Sequence, residues 1–419
     1  MEKYIISGGR KLYGKVEIQS AKNSVLPLIA ASVLRKGKTV IEKCSKLKDV
    51  IVMCEILRQI GGKYEFVEDN LIIDTTELNT WELPSMLTGE IRASLFMVGA
   101  LLSRFGYAIM RKPGGCKIGE RALDIHIDGL RTMGVVVDEG EELVFKGRKI
   151  TSAKVKLRFP SVGATENLMM VAVRCKGTTI IENCAKEPEI VDLQKYLNLI
   201  GARVSGAGTD VIEIDGVDNL FNGEVNILPI ADRIEIGTFL FAGFATGGEL
   251  EFDCPMLKNS KILHRFFKNN ACKIYANNGK IYNIAFNHKL RGFGKVVTGP
   301  YPEFPTDLQP QLVACASVHN GLTAVEERVF PDRFGYTVEL AKLGAKVEVF
   351  KNLCLIQGGR LNAQSVTAGD LRGGAALVIG GLVADGDTEI KDVRHIERGY
   401  YKLEEKLSLL GAKIQRVIY

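Results

Sequence analysis

Cys116 stands in the run Arg111-Lys112-Pro113-Gly114-Gly115-Cys116-Lys117-Ile118-Gly119-Glu120-Arg121. Pro-Gly-Gly makes a flexible turn. The cations Arg111, Lys112, Lys117 and Arg121 favour a thiolate, which makes this thiol more acidic and reactive than an ordinary one. The plain alternative is an exposed basic loop whose thiol is an oxidation liability. A second set of chemistry-bearing residues opens apolar runs: Lys22-Asn23, Glu90-Ile91-Arg92, Ser161-Val162-Gly163-Ala164-Thr165, Asp232-Arg233, Asp307-Leu308-Gln309 and Asp370-Leu371-Arg372. A helix opening presents unpaired N–H groups and the positive end of the dipole. With Lys22, Arg92, Arg233 and Arg372 added, such openings suit phosphates and carboxylates. Asp232, Asp307 and Asp370 read equally well as N-caps, and capping does not exclude lining a cleft. No His, Cys and carboxylate grouping has ligand spacing, so no metal is expected.

The elements that must position these residues repeat. With a period of about 70 residues, a polar opening leads into an apolar helix, then a Gly turn, a β-branched strand and a second, amphipathic helix. The turns lie at Gly37, Gly106, Gly177, Gly247, Gly321 and Gly386, each followed by a strand-like run. The second helices stop at Gly61, Gly134, Gly201, Asn270, Gly344 and Gly411; glycine takes left-handed dihedrals there at little cost. The first helices, at 25–34, 93–102, 168–173, 237–245, 312–317 and 374–383, are apolar nearly all round, which predicts burial on every side. Pro27 is read into the first turn of the first of them, where it is tolerated. The second helices at 191–200, 336–343 and 401–410 space their apolar residues by three and four. No such unit buries its own apolar surface. Six units in two groups of three therefore predict an α+β chain of two domains with buried central helices. Three units lie between residues 22 and 229, and three run from 230 onward.

Composition narrows the function. The chain has 419 residues, more than one core usually covers. Apolar residues make up 46 % and charged residues 25 %, ordinary values that argue against disorder. Net charge is 55 − 49 = +6, enough to suit small anions. With aromatics at 7 % and the basic residues dispersed, it does not make a nucleic-acid stripe. The start lacks an apolar signal region, and no run of about 18 uncharged apolar residues occurs. A cytoplasmic protein is expected. The other cysteines, at 44, 54, 175, 184, 254, 272, 315 and 354, form no CxxC pair and read as reduced, mostly buried thiols.

Pro113-Gly114-Gly115-Cys116-x-Ile118-Gly119-x-Arg121-x-x-Asp124-x-His126 resembles the catalytic loop of the UDP-N-acetylglucosamine carboxyvinyltransferases, in the enolpyruvyl transferase family. Ala21-Lys22-Asn23, Arg92-Ala93-Ser94, Ser161–Thr165, Glu187–Asp192, Asp232–Glu235, Phe304–Asp307, Asp370–Arg372 and Arg398-Gly399-Tyr400 extend the resemblance from end to end. It implies a two-domain inside-out α/β barrel of six βαβαββ-type repeats. The N-terminal strand, read as Tyr4–Ile18, would join the second group, giving domains 22–229 and 1–21 plus 230–419. It implies transfer of the enolpyruvyl group of phosphoenolpyruvate to the 3-hydroxyl of UDP-N-acetylglucosamine, the first committed step toward peptidoglycan, without a cofactor. Oligomeric state stays open. Cys116 would be the proton donor and a site of covalent adduct formation, and Asp307 the base. Lys22, Arg121 and Arg398 would grip phosphoenolpyruvate, with Arg372 close by. Asn23, Arg92, Arg121, Ala122, Leu123, Asp124, Ile125, Ser161, Val162, Asp307 and Val329 would line the nucleotide-sugar site. The sister transferase acting on shikimate 3-phosphate lacks the loop cysteine. A catalytically quiet regulatory relative is disfavoured by intact Lys22, Cys116, Asp307 and Arg398.

Four positions depart from the family's pattern. Ser20 stands where Gly is frequent, Ala122 where Pro is common, and Pro331-Asp332-Arg333 where Glu-Asn-Arg is usual. Phe159-Pro160 precedes Ser161 where a basic residue is often found, which implies one lost contact to the nucleotide.

Overall fold

The computed structural model describes residues 2–114, 123–253, 261–270, 273–277, 281–286 and 292–418. Contacts divide the chain into two units. One gathers Met1–Gln19 with Ala231–Tyr419, and the other Ser20–Gly115 with Arg121–Ile230.

The second of these units is built on three helices, Lys22–Ser32, Phe96–Phe105 and Val162–Ala172. The first is built on Arg233–Thr246, Gln309–Ala316 and Leu371–Val383. Each is called below by its first residue. They are buried as their composition demands: every residue of the Gln309 helix and all but the last of the Leu371 helix are out of water. Small residues make room for this. A Cβ on Gly374 would come within 2.7 Å of Ile396 Cγ1, and one on Gly380 within 3.0 Å of Leu343 Cδ1. The amphipathic helices Lys48–Gln59, Asp124–Thr132, Pro188–Leu199, Thr337–Lys342 and Leu403–Leu409 each bury one face.

The described strands form six sheets, three per unit, and none closes on itself. Five follow one rule. The strand after the Gly turn pairs in parallel with one neighbour and antiparallel with another, and that other pairs antiparallel with a fourth. Thr178–Glu182 thus lies between Lys154–Lys156 (parallel) and Val211–Asp215 (antiparallel), and Arg203–Ser205 completes the sheet. The sixth sheet has three strands, and the bridge Glu82↔Ile109 stands where its parallel strand would be. Burial alternates along the strands (Val211–Asp215 runs exposed, buried, exposed, buried, exposed), so one face of each sheet covers the helices. Helices inside and sheets outside make the arrangement inside-out.

All six turn glycines have positive φ, from 65° at Gly247 to 154° at Gly37. In five repeats the turn carbonyl takes an amide from the returning strand: Thr75 to Gly37, Gly147 to Gly106, Gly216 to Gly177, Gly358 to Gly321 and Gly8 to Gly386, at 2.8–3.1 Å. The Gly8 case closes a repeat whose strand comes from the other end of the chain. Strand Glu2–Ser7 sits between Asp387–Lys391 and Lys413–Ile418, antiparallel to both. Segment 4–18 is thus more than one strand, since Tyr13–Val16 pairs separately with Glu249–Asp253.

Two local readings need correcting. The first apolar helix starts at Lys22, three residues before the apolar run, so Pro27 is its sixth residue and falls in the second turn. It has no N–H to give the carbonyl of Asn23 four residues back. The stop at Asn270 is not left-handed like its five glycine counterparts. Its side-chain amide instead donates to the Phe266 carbonyl at 2.7 Å and caps the helix.

Candidate active site

In the unit holding Lys22, the helix openings are arranged by hydrogen bonds between elements. Lys22 is the first residue of its helix, and Ala21 before it offers no capping side chain. Lys22 Nζ lies 3.1 Å from Asp49 Oδ2, a buried carboxylate in the first turn of Lys48–Gln59. Two residues on, Ser24 Oγ donates to Asp192 at 2.8 Å; the same carboxylate takes the Ile230 amide at 2.7 Å. Asn23 is held between these two anchored residues. Arg92 begins a 3-10 turn, Arg92–Leu95, that runs into the Phe96 helix. Leu123 is the N-terminal flank of Asp124–Thr132, and Ile125 donates its amide to Asp124 Oδ1 at 2.8 Å. Ser161 caps the Val162 helix through the Ala164 amide at 3.4 Å. Cys116, Arg121 and Ala122 lie outside the described residues.

Arg158 amends the reading of Phe159-Pro160. A cation is present one position earlier, and its guanidinium pairs with Asp124 and stands 3.9 Å from Asp128. That contact, with burial opposing it, keeps the Asp124 carboxyl below the usual range.

In the other unit, Asp307 lies in the 3-10 turn Thr306–Leu308 and makes no cap. Its carboxylate is gripped from two sides. Arg333 Nη2 reaches Oδ1 at 2.8 Å, and Arg372 reaches Oδ2 through Nη2 at 2.9 Å and Nε at 3.2 Å. The two arginine side chains are 3 % exposed and the Asp307 side chain 26 %, so Asp307 is the member of the cluster that reaches the surface. Arg372 is the second residue of its helix, donates its amide to the cap Asp370 at 2.9 Å, and lies over the Tyr400 ring at 5.4 Å. Burial opposes its charge, but Asp307, then Tyr400 and Asp232, outweigh burial and raise its pKa above the ordinary arginine value. Asp232 caps the Arg233 helix through the amides of Ile234 and Glu235. The openings at Asp232, Asp307 and Asp370 therefore meet around Arg372.

Three residues that the sequence did not single out hold this arrangement. Arg333 ends the altered tripeptide Pro331-Asp332-Arg333. Its Nη1 donates to Thr306 Oγ1 at 2.9 Å, and that hydroxyl donates to Glu327 at 2.9 Å. Glu327, fully buried, also accepts Thr298 Oγ1 at 2.7 Å and the amides of Val329 and Phe330 at 2.8 and 3.0 Å, which fixes Val329. Gln19 bonds the Gly399 carbonyl at 2.8 Å and the Tyr401 amide at 3.1 Å. It thereby pins the segment after Arg398, the last residue of the 3-10 turn Val393–Arg398. The Gln19 amide goes to Glu235, which also holds Lys406 at 2.8 Å; burial nonetheless pushes the Glu235 carboxyl up to about 7. Glu327 and Gln19 belong to no motif, Arg333 is the unchanged member of the altered tripeptide, and their three-dimensional partners give all three away.

The described cysteines at 44, 54, 175, 184, 315 and 354 are buried and unbridged. Burial pushes the thiols of Cys44 and Cys354 up to about 12 and those of Cys175 and Cys184 up to about 11, which suits packing rather than chemistry. Among the described residues no His, Cys and carboxylate group could hold a metal ion, and no helix is long and apolar enough to cross a membrane.

Residues 6–407 match the family model described as EPSP synthase (3-phosphoshikimate 1-carboxyvinyltransferase). The chain belongs to the EPSP synthase family. It is 43 % identical over 420 residues to a protein named UDP-N-acetylglucosamine 1-carboxyvinyltransferase 2 from Caldanaerobacter subterraneus, covering 100 % of both chains. It is 40 % identical to UDP-N-acetylglucosamine 1-carboxyvinyltransferase of Halothermothrix orenii, again over 100 % of both. The enolpyruvyl transferase NikO from Streptomyces tendae has the same fold, with a TM-score of 0.89 at 24 % identity over 99 % of each chain. EPSP synthase from Acinetobacter baumannii shares it at 0.74 and 15 % identity.

Proposed function

We propose that the chain transfers the enolpyruvyl group of phosphoenolpyruvate to the 3-hydroxyl of UDP-N-acetylglucosamine and releases phosphate. The observation that carries this reading is the full-length identity of 40–43 % to relatives bearing that enzyme's name. The geometry supports it. Asp307, the candidate base, is held by two buried guanidiniums while its own side chain is partly exposed. Lys22 stands at an uncapped helix opening, where N–H groups and a cation suit an anion.

In this mechanism the Cys116 thiol gives its proton to C3 of phosphoenolpyruvate. The sugar 3-oxygen bonds to C2 and loses its proton to Asp307. The resulting tetrahedral ketal then returns a methyl proton to the Cys116 thiolate, and the C2–O bond to phosphate breaks, leaving the enol ether and inorganic phosphate, which carries off the proton that Asp307 took. Arg333 and Arg372 orient the Asp307 carboxylate. Lys22, Arg121 and Arg398 neutralise phosphoenolpyruvate, with Arg372 nearby. Asn23, Arg92, Arg121, Ala122, Leu123, Asp124, Ile125, Ser161, Val162 and Val329 line the nucleotide-sugar side. No cofactor enters, and the reaction belongs in the cytoplasm, at the first committed step toward peptidoglycan.

Phosphate release from phosphoenolpyruvate is the test. It should require UDP-N-acetylglucosamine and fall by at least about 10³-fold in Cys116→Ala, the scale of lost general acid catalysis. Release that required shikimate 3-phosphate instead would keep the fold and overturn the substrate. Release with neither acceptor would overturn the activity.

A further inference from the structure

The Phe96 helix begins with a splice. Leu95 and Gly99 provide the carbonyl and amide, four residues apart, that an uninterrupted α-helix joins to each other. Asn167 of the Val162 helix serves both. Gly99 donates its amide to Asn167 Oδ1 at 2.7 Å, and Asn167 Nδ2 donates to the Leu95 carbonyl at 3.1 Å. A side chain set into the helical ladder redirects a helix. This one acts where the 3-10 turn Arg92–Leu95 passes into the α-helix. Asn167 is fully buried, and only glycine fits at 99, because a Cβ there would collide with Asn167 Oδ1 and its backbone oxygen.

The Gly99 amide can only donate, so the carboxamide oxygen faces it and the nitrogen faces the remaining partners. One is the Leu95 carbonyl. The other is Nδ1 of buried His126, at 3.2 Å. An NH2 group has no lone pair to offer, so Nδ1 must accept, and His126 is the neutral tautomer with its proton on Nε2. The rest of the ring lies over Gly163 at the start of the Val162 helix. His126 Cε1 and Nε2 are 3.1 and 3.3 Å from where a Cβ of Gly163 would stand. Among the described residues, the charged groups that act on the ring are Arg92 and Asp124. Burial, reinforced by Arg92 and opposed by Asp124, holds the imidazole down to about 3.

We propose that Asn167 and His126 are a positioning pair that locks three openings into one body, those carrying Arg92, Asp124–Ile125 and Ser161–Val162, and thereby sets affinity for the nucleotide sugar rather than for phosphoenolpyruvate. What the openings hold rests on the function proposed above; that they are locked together does not. One amide and one imidazole bridge all three, so loosening either should move the nucleotide-sugar contacts of these three openings at once and leave Lys22 and Asn23, on a separate helix, in place.

Two readouts test this separately. Ring-nitrogen NMR of the wild-type protein should show His126 neutral and protonated on Nε2 down to about pH 4.5. Asn167→Asp keeps an acceptor for Gly99 but turns an anion toward Nδ1, and should move His126 protonation up to about pH 6–8. A wild-type His126 titrating near the ordinary value of about 6.5 would overturn the pair, whatever the enzyme turns over. In steady state, Asn167→Asp should raise KM for UDP-N-acetylglucosamine about ten-fold, with KM for phosphoenolpyruvate changed less than about two-fold. His126→Gln, which retains an acceptor for Asn167 and guards against a misfolded first variant, should lose less than His126→Leu. Equal rises in both KM values, or none in folded variants, would overturn the positioning role. If the wild-type enzyme did not use UDP-N-acetylglucosamine, the proposed function would fail, and the histidine titration would still decide whether the openings are locked.

Discussion

Replacing Asp307 by Asn removes one negative charge and almost no volume. Its partners are Arg333 and Arg372, both about as buried as the core and both within 3 Å of the carboxylate. Arg333 retains Thr306, and Arg372 retains the Tyr400 face and the field of Asp232, but neither keeps a carboxylate paired directly with its guanidinium. Breaking a buried pair by removing one partner costs about 3–5 kcal/mol, because it strands the other charge. Asp307 is partly exposed and the two arginines share it, so about 3 kcal/mol is the figure to expect. The loss should be local, at the openings of the Gln309 and Leu371 helices. Amide exchange is the suitable assay, since it reads opening free energy segment by segment and needs no two-state assumption. Amides of the Leu371 helix should exchange about 10²-fold faster in Asp307→Asn, the equivalent of about 3 kcal/mol. Those of the Val162 helix should be unchanged. A change under about five-fold in the Leu371 helix would refute the reasoning, since the guanidiniums would then not depend on Asp307 for their charge balance.

Other consequences are as direct. His126 has its pKa lowered on folding, so the unfolded chain binds the extra proton and stability falls as pH drops below about 6.5; denaturation at pH 4.5 should show a loss of about 2–3 kcal/mol relative to pH 7 that is absent in His126→Gln. Glu166 has the opposite sign: burial, then Glu189 and Glu187, raise its carboxyl well above the usual value, so stability is lost as pH rises above about 4.5, and Glu166→Gln should flatten that limb of the curve. Glu327→Gln cannot accept from both threonines and two amides as an anion does, and should cost about 2–4 kcal/mol by thermal unfolding and weaken nucleotide-sugar binding through Val329. Gly99→Ala drives a methyl into Asn167 and should destabilise by about 1–3 kcal/mol, seen as a lower Tm.

The repeat was legible because its punctuation is chemical. Left-handed positions select glycine, so Gly37, Gly106, Gly177, Gly247, Gly321 and Gly386 announce the turns, and apolar runs with no polar side announce the buried helices. The α+β class and the family followed from those signs together with the Cys116 loop. Helix phase was less legible: Pro27 argued for a first-turn position, yet Lys22 and Asn23 are helical too, since an opening residue has no apolar signature. The pairing order of the sheets was not legible, because the parallel neighbours are very short strands, and two of them, Tyr13–Val16 and Val225–Ile227, come from far along the chain. At the site, Asp307 left capping and catalysis open, and its two arginines turn it away from the cap. Gln19, Glu327 and Asn167 went unread for a different reason. Their significance lies in several partners each, gathered from other elements, and single-residue chemistry gives no sign of that.

Strand Glu2–Ser7 has a consequence in time. Its partners are made much later: Ser7 bonds Asp387 across 380 residues, and Lys3 pairs with Glu389 across 386. At about 5–20 residues per second, a ribosome needs roughly 20–80 s to span that interval. Throughout it, the strand is an unpaired edge, open to capture by a neighbouring chain. The sheet it completes cannot close until both of those strands have been made. Residues 2 and 418 are then opposite one another. A permuted chain, joined there and opened in the exposed turn at Gly140, would synthesise these partners consecutively and should acquire this unit without the wait.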